Sequence, residues 1–134
     1  MNNTFSIKKT SDFSYVYKKG KCYSGRFLVL YALKNHNCKD LLVNYIGITA
    51  SKKTGKSVKR NRLKRLVREN YRAYESFIPT GYYLIFIIRS VQETPDFKVY
   101  QREMKYLFKK ANVFDFEKWS QRAKNDKSDS SKPY

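Results

Sequence analysis

The densest group of side chains that could bind a ligand lies between Ser51 and Arg72. Residues 52–72 hold ten Lys and Arg and a single acid, Glu69. Like charges this close together repel each other, and phosphate groups that neutralise them relieve the repulsion. Arginine guanidinium groups also bind two phosphate oxygens at once, which lysine cannot do. The segment is therefore typical of a surface that binds a nucleic acid.

A long helix over residues 57–77 is predicted to position most of these cations. Its apolar residues follow a 3.6-residue period and form one stripe, made of Leu63, Leu66, Val67, Tyr71 and Tyr74. At about 100° per residue, the opposite arc holds basic residues, namely Arg62, Lys64, Arg65, Arg68 and Arg72. The pattern predicts a helix that packs on a sheet and presents cations outward.

Two other interpretations of the basic helix stay open. An ordinary solvated helix usually has acids among its cations, whereas this sequence has none from Leu41 to Arg68. A cationic amphipathic helix can also lie on an anionic membrane surface. Here the apolar stripe ends in tyrosines and is needed to cover a sheet, which disfavours membrane binding. Nucleic acid is the favoured partner.

The charge of the whole chain supports a polyanionic partner. The 134 residues, 16.0 kDa in mass, suffice for one domain with one core, and the hydrophobic fraction of 41% excludes a wholly disordered chain. Lys and Arg outnumber the acids by 29 to 11, which gives a net charge of +18. Residues 1–68 hold 17 of these cations against Asp12 and Asp40. Folding alone does not require such a field.

Other segments predict two more helices and three strands. Thr10 or Ser11 can cap a first helix, with Phe13, Val16 and Tyr17 on one face and Gly20 at its end. Residues 26–33, 42–51 and 82–88 are predicted strands, and the polar residues 35–40 predict a hairpin between the first two.

A last helix is predicted to begin at Thr94, as its cap, and Pro95. Its apolar stripe consists of Phe97, Tyr100, Met104, Leu107, Phe108 and Ala111. The resulting order α-β-β-α-β-α, with room for one extra short strand, predicts an α+β fold: a two-layer α/β sandwich of one sheet with helices packed against it.

Residues 1–119 are predicted to form a single RNA-binding domain, and residues 120–134 a basic, polar tail without fixed structure. Cys22 and Cys38 lack zinc-site spacing, and we interpret them as reduced thiols, with a disulfide as the alternative. The first residues lack the apolar stretch of a signal peptide, and the apolar run 82–88 is too short to cross a bilayer. We expect a soluble, cytoplasmic protein.

The basic segment also resembles a known signature. Residues 59–69, Lys-Arg-Asn-Arg-Leu-Lys-Arg-Leu-Val-Arg-Glu, preceded by Ser-Lys-Lys-x-Gly at 51–55, look like the signature of the protein component of bacterial ribonuclease P. Asp12-Phe13 with Tyr17-Lys18-x-Gly20 is similar to the first helix of that family. Residues 29–31 and 82–89 are similar to its first long strand and its last strand. The resemblance covers residues 5–113 and leaves the tail outside it.

The resemblance implies a fold and an activity. The fold is an α/β sandwich like domain 2 of ribosomal protein S5, with a left-handed βαβ crossover through the signature helix, against the general right-handed rule. The activity is Mg²⁺-dependent endonucleolytic removal of the 5′ leader from precursor tRNA, carried by the RNA subunit, which with the substrate binds most of the Mg²⁺. The implied partners are the ribonuclease P RNA and precursor tRNA, with no membrane and no second protein copy required. No catalytic or metal-binding residue is expected in the protein.

The resemblance also assigns residues by position. It assigns binding of the RNA subunit to Lys52, Lys53, Lys56, Lys59, Arg60, Asn61, Arg62, Lys64, Arg65 and Arg68. It assigns binding of the leader to Phe13, Tyr17 and Tyr31, for which core packing is the alternative. Stacking suits a leader of variable sequence because every base has a π-face. Tyr17 stands where family members often have Phe, and the ring is kept.

The residues disfavour a nuclease carried by the protein itself. Such an enzyme needs carboxylates that converge on Mg²⁺, whereas Glu69 is the one acid of the signature and the single histidine, His36, lies in a predicted turn. The alternative function is a ribosomal or RNA-assembly protein that packs on structured RNA. It would account for the charge and the fold, but poorly for the Arg60-Asn61-Arg62 run and the three aromatic residues.

Overall fold

Five strands and three helices make up the described part of the chain, residues 4–34, 43–90 and 94–113 of a computed structural model. In chain order they are β1 (Thr4–Ser6), α1 (Thr10–Lys19), β2 (Lys21–Ser24), β3 (Leu28–Lys34), β4 (Asn44–Ala50), α2 (Ser57–Tyr74), β5 (Tyr82–Ile88) and α3 (Phe97–Lys110). Short 3-10 turns, Lys52–Thr54 and Glu75–Phe77, precede and follow α2. The predicted tail, His36 and Cys38 lie outside the described residues.

The strands form one sheet in the order β1-β4-β5-β3-β2. The central strand, β5, pairs parallel with β4 and antiparallel with β3. All of its residues are buried or half-buried, which matches its nearly uninterrupted apolar sequence. β1 lies parallel to β4 at one edge, and β2 lies antiparallel to β3 at the other.

The predicted hairpin between the strands at 26–33 and 42–51 is wrong. The strands themselves exist as β3 and β4, but β5 lies between them and pairs with both. The polar residues 35–40 have the sequence of a turn, which favours pairing of the two strands that they connect. The central position instead goes to the most continuously apolar strand, because burying both of its faces removes the most apolar surface from water.

The sheet has two short edge strands that were not predicted individually. The predicted order left room for one extra strand, whereas both β1, with three residues, and β2, with four, are present. Their sequences are short and partly polar, so the alternation of apolar and polar residues that predicts a strand is weak. Pairing with β4 and β3 supplies the hydrogen bonds that make them strands.

The connection from β4 through α2 to β5 is a βαβ unit, since β4 and β5 are parallel neighbours. This confirms that the signature helix joins two parallel strands. The left hand of this crossover stays a prediction.

Helices cover both faces of the sheet. On one face α2 and α3 enclose the larger core, to which the strands contribute Leu28, Leu30, Ala32, Ile46, Leu84, Phe86 and Ile88. On the other face α1 packs through Val16 against Ile7 and Ile85. The predicted α+β sandwich is confirmed, with α1 on the second face. Among the described residues no helix is both long and apolar enough to cross a membrane.

Two predicted helix caps are wrong. The N-cap of α1 is Lys9, without a side-chain bond, instead of Thr10 or Ser11. The N-cap of α3 is Asp96, whose Oδ1 accepts the Val99 N–H at 3.0 Å. Because an aspartate both accepts this bond and interacts favourably with the helix dipole, α3 starts after Thr94 and Pro95. The predicted end of α1 is confirmed, since Gly20 is its C-cap and its N–H donates to the Val16 oxygen at 2.7 Å.

A carboxylate on α3 holds the turn between β2 and β3. Glu103 accepts the backbone N–H of Arg26 at 2.9 Å with Oε1 and that of Phe27 at 2.7 Å with Oε2. Arg89, just after β5, donates to the Gly25 oxygen at 2.8 Å. Burial raises the pKa of Glu103, and the backbone N–H bonds and the charge of Arg89 oppose that shift. The turn is thereby tied to the helical layer.

We expect Glu103→Ala to lower the free energy of unfolding by about 1–3 kcal/mol, because two backbone N–H groups lose their acceptor. Glu103→Gln keeps one amide oxygen that can accept, so its loss should be smaller. Urea denaturation followed by circular dichroism measures both variants. Wild-type stability in Glu103→Ala would show that the carboxylate does not hold the turn.

Candidate nucleic-acid interface

The predicted apolar stripe places α2 on the sheet. Its buried residues are Leu63, Val67, Asn70, Tyr71 and Tyr74, while Leu66 is only partly buried. Asn70 is the member that the apolar pattern does not predict. Its amide donates to the backbone oxygens of Leu66 and Phe97, both at 3.1 Å, and so links α2 to the start of α3.

The predicted RNA-binding residues lie together on α2 and on the turn before it, and we call this set the basic face. Its exposed members are Lys52, Lys53, Lys56, Asn61, Arg62 and Arg65. Its half-buried members are Lys59, Arg60, Lys64 and Arg68. The sheet contacts of α2 thus leave every member of the set with some contact to solvent.

The charge of the basic face is largely uncompensated. Glu69 Oε1 lies 3.9 Å from Arg65 Nε, and both side chains are well exposed, at 46% and 70%. An exposed pair at this distance stabilises a helix by well under about 1 kcal/mol. Among the described residues, the basic face forms this one ion pair. The remaining cations create a positive potential that attracts a polyanion.

Arg60 differs from the other arginines of the basic face. Its Nη2 donates to Ser57 Oγ at 3.2 Å, within the first turn of α2. Its Nε is buried and has no partner among the described atoms. Part of this guanidinium therefore points inward, and the bond to Ser57 restricts its orientation.

The three predicted leader-binding aromatic residues come together on the face that carries α1. The ring centroids of Phe13 and Tyr17 are 6.3 Å apart, and those of Tyr17 and Tyr31 are 5.0 Å apart in an edge-to-face arrangement. Phe13 and Tyr31 are half-buried, whereas Tyr17 is 38% exposed. Core packing therefore does not account for the whole group.

Tyr31 has a polar neighbour on the adjacent strand. Cys22 lies opposite Tyr31 in the pairing of β2 with β3, and its thiol is exposed and free. The side-chain hydrogen bond between the two raises the pKa of Tyr31. The Tyr31 hydroxyl is thus engaged with Cys22 across the strand pair.

A cavity of about 130 Å³ joins the basic face to this aromatic group. It is lined by Ser6, Ile7, Phe13, Ile46, Gly47, Ile48 and Arg68. Gly47 lets Phe13 lie directly on β4, since a Cβ at position 47 would be 2.6 Å from Phe13 Cε1. The cation Arg68 and the ring of Phe13 thus border one space.

One aromatic feature of the same sheet face was not predicted. Phe5, Tyr45 and Tyr83 lie side by side on β1, β4 and β5, and we call them the ring row. Ile46, Ile48 and Ala50 of β4 belong to the core under α2 and α3, on the other face of the sheet. Tyr45 and Gly47 occupy the alternate positions of β4, and they are the sequence signal that could have indicated the second face of the sheet.

The described carboxylates do not converge. Glu75 accepts a hydrogen bond from Thr4 Oγ1 at 2.6 Å, Glu103 binds the β2–β3 turn, and Asp96 caps α3. Within the described ranges, no three His, Cys, Asp or Glu side chains are grouped so that they could hold a metal ion. These donors do not fit a magnesium site built by the protein.

A sheet with a cation-rich helix on one face and partly exposed rings on the other defines an RNA-binding protein of the α+β class. The family model for ribonuclease P matches residues 1–112. The chain is 43% identical over 110 residues to the ribonuclease P protein component of Clostridium botulinum, which covers 81% of this chain and 96% of that protein. It is also 43% identical over 116 residues to the one from Clostridium perfringens, covering 84% and 93%.

Solved structures agree with these relatives. The ribonuclease P protein of Staphylococcus aureus superposes with a TM-score of 0.72 at 34% identity, covering 81% of this chain and 96% of that one. The ribonuclease P protein of Thermotoga maritima gives a TM-score of 0.63 at 30% identity, covering 76% of this chain and 94% of that one. The chain belongs to the ribonuclease P protein family, whose members are the protein components of an endoribonuclease in tRNA processing.

We expect Gly47→Ala to destabilise the fold by about 1–3 kcal/mol, because its methyl group would overlap the Phe13 ring. Combining it with Phe13→Ala removes the overlap, so Gly47→Ala should have a much smaller effect in that background. A double-mutant cycle of urea denaturation measures the difference. Additive losses would show that the two residues are not in close contact.

Proposed function

We propose that this chain is the ribonuclease P subunit that binds the catalytic RNA through the basic face and the 5′ leader of precursor tRNA through Phe13, Tyr17 and Tyr31. In this role it promotes Mg²⁺-dependent removal of the leader to give the mature 5′ end. The observation that carries the proposal is the shared cavity, which Arg68 and Phe13 both line. A cation and a stacking ring that line the same cavity suit the point where a single strand leaves structured RNA.

The basic face suits a structured RNA subunit. Its cations extend from the turn Lys52–Thr54 along α2, and Glu69 is the acid that pairs with it among the described residues. Each phosphate that it neutralises releases counterions and adds affinity that depends on salt. Because α2 is fixed by its buried stripe, these cations are presented as a rigid surface.

The three aromatic residues suit a single strand of variable sequence. Rings bind any base through its π-face, and the exposed part of Tyr17 leaves room for such a contact. The Tyr31 hydroxyl adds a polar group beside the rings. This group contributes to binding of the precursor and not of mature tRNA, which lacks the leader.

We assign the hydrolysis to the RNA subunit and its Mg²⁺ ions. Metal-assisted hydrolysis needs ligands around an ion, and the described His, Cys, Asp and Glu side chains are not grouped so that they could hold one. The residues of this chain bind, orient and neutralise the two RNAs.

The first test is cleavage of precursor tRNA by a bacterial ribonuclease P RNA at low Mg²⁺ and near-physiological salt, with and without this protein. We expect the protein to restore 5′ maturation that the RNA alone does not sustain under these conditions. Binding to the RNA without any gain in cleavage would favour the alternative function of packing on structured RNA.

A second test separates the two surfaces. We expect Arg65→Ala to weaken binding of the RNA subunit and to reduce the slope of log K against log salt by about one. Lys98→Ala, which also removes one exposed cation but on α3, is the matched control and should change the slope less. An unchanged slope for Arg65→Ala would contradict its assignment.

For the leader, we expect Tyr17→Ala in the holoenzyme to weaken precursor tRNA binding about tenfold, through the loss of one stacking contact. Binding of mature tRNA should stay within about twofold of wild type, since no base stacks on Tyr17 there. Equal losses of affinity for precursor and mature tRNA would contradict the assignment of Tyr17 to leader binding.

A further inference from the structure

The ring row lies on the same sheet face as α1, with Tyr45 stacked on Tyr83 and Phe5 tilted by 38° against Tyr45. The centroids of Tyr45 and Tyr83 are 5.3 Å apart with nearly parallel planes, and those of Phe5 and Tyr45 are 6.2 Å apart. In the pairing of the strands, Phe5 lies opposite Tyr45, and Tyr45 lies opposite Tyr83. The three rings thus run across the sheet towards its β1 edge.

Phe5 ends this row and is 58% exposed. Tyr45 contacts it from the inner side, with the ring centroids 6.2 Å apart. A planar, apolar group placed on the outer side of Phe5 would bury the exposed part of this ring and extend the row of ring contacts.

The ring row continues the proposed leader-binding group. Rings follow one another from Tyr31 to Tyr17 and on to Phe13 at 5.0 and 6.3 Å. Phe13 lies on Gly47, which is two residues from Tyr45 on the same face of β4. The first group therefore ends beside Tyr45, the middle ring of the ring row.

Two cations lie between the two groups of rings along the chain. Lys8 and Lys9 are exposed and belong to the link from β1 to α1, between Phe5 and Phe13 in the sequence. Their ammonium groups would neutralise phosphates of a strand whose backbone follows this link. Alternating rings and cations are the pattern by which proteins bind single-stranded nucleic acid.

We propose that Phe5, backed by Tyr45 and Tyr83, is a second stacking site, which takes a base of the precursor leader once the first site at Phe13, Tyr17 and Tyr31 is occupied. This inference rests on the proposed function. The leader is the partner because the ring row continues its proposed path on the α1 face, whereas most of the basic face belongs to the helical layer on the opposite side of the sheet.

The distance between the two sites sets a leader length. Phe5 and the β3 residue opposite Tyr83, Leu33, are three strand spacings apart, or about 14 Å. Tyr31 is two residues farther along β3 on the same face. A leader of two or three nucleotides occupies only the first site, whereas a longer one reaches Phe5.

The test measures binding of the holoenzyme to precursor tRNAs with leaders of about three and about twelve nucleotides. We expect Phe5→Ala to weaken binding of the long-leader precursor about fivefold, the loss of one stacked base, and that of the short-leader precursor less than twofold. Phe5→Trp, which keeps a stacking ring, should restore the affinity. Tyr106→Ala is the matched control, because Tyr106 is 53% exposed but lies on α3, and it should bind both precursors as wild type does.

Each alternative result has one meaning. Unchanged binding of both precursors by Phe5→Ala, while Tyr17→Ala still loses affinity, overturns the second site and leaves the proposed function intact. Equal losses at both leader lengths also overturn it, because the effect would not follow the leader. If Tyr17→Ala too binds the long-leader precursor normally, the proposed function itself fails. Urea denaturation of Phe5→Ala checks that it is folded.

Discussion

Burial of β5 on both faces is the constraint on which the rest of the structure depends. A strand made almost entirely of apolar and aromatic residues must be covered above and below, and flanked at both edges. Residues Leu84, Phe86 and Ile88 require α2 and α3, while Ile85 requires α1. The same requirement separates β3 from β4 and makes β4, α2 and β5 a crossover unit.

This arrangement divides the molecule into two chemically different sides. The helical layer of α2 and α3 presents the basic face, whose cations repel one another but are held by the buried stripe of α2. The α1 side presents rings that are only partly buried. Packing energy in the core thus offsets the repulsion, and the surface retains the charge that a polyanion neutralises. Neither side contains carboxylates that converge within the described residues.

The two sides meet at one close approach. Phe13 lies on Gly47 with no room for a side chain between them, and Arg68 reaches the same cavity from α2. A larger residue at 47 would separate the ring from the sheet and from the cation. The common space of Phe13 and Arg68 therefore depends on one small residue of β4. That residue also lies two positions from Tyr45, the middle ring of the ring row.

The sequence by itself determined the class of fold, the apolar stripe of α2, the strand at 82–88 and the identity of the basic residues, because period and charge are local properties of the chain. The family resemblance rested on the same contiguous residues. Only the tertiary structure decided that β5 lies between β3 and β4, because strand order depends on contacts between residues far apart in the chain. It also decided the caps at Lys9 and Asp96 and the two edge strands. The cavity that Arg68 and Phe13 share beside Gly47 was likewise decided only there. The ring row escaped prediction for the same reason: Phe5, Tyr45 and Tyr83 belong to three separate segments, and only the pairing register brings their rings together.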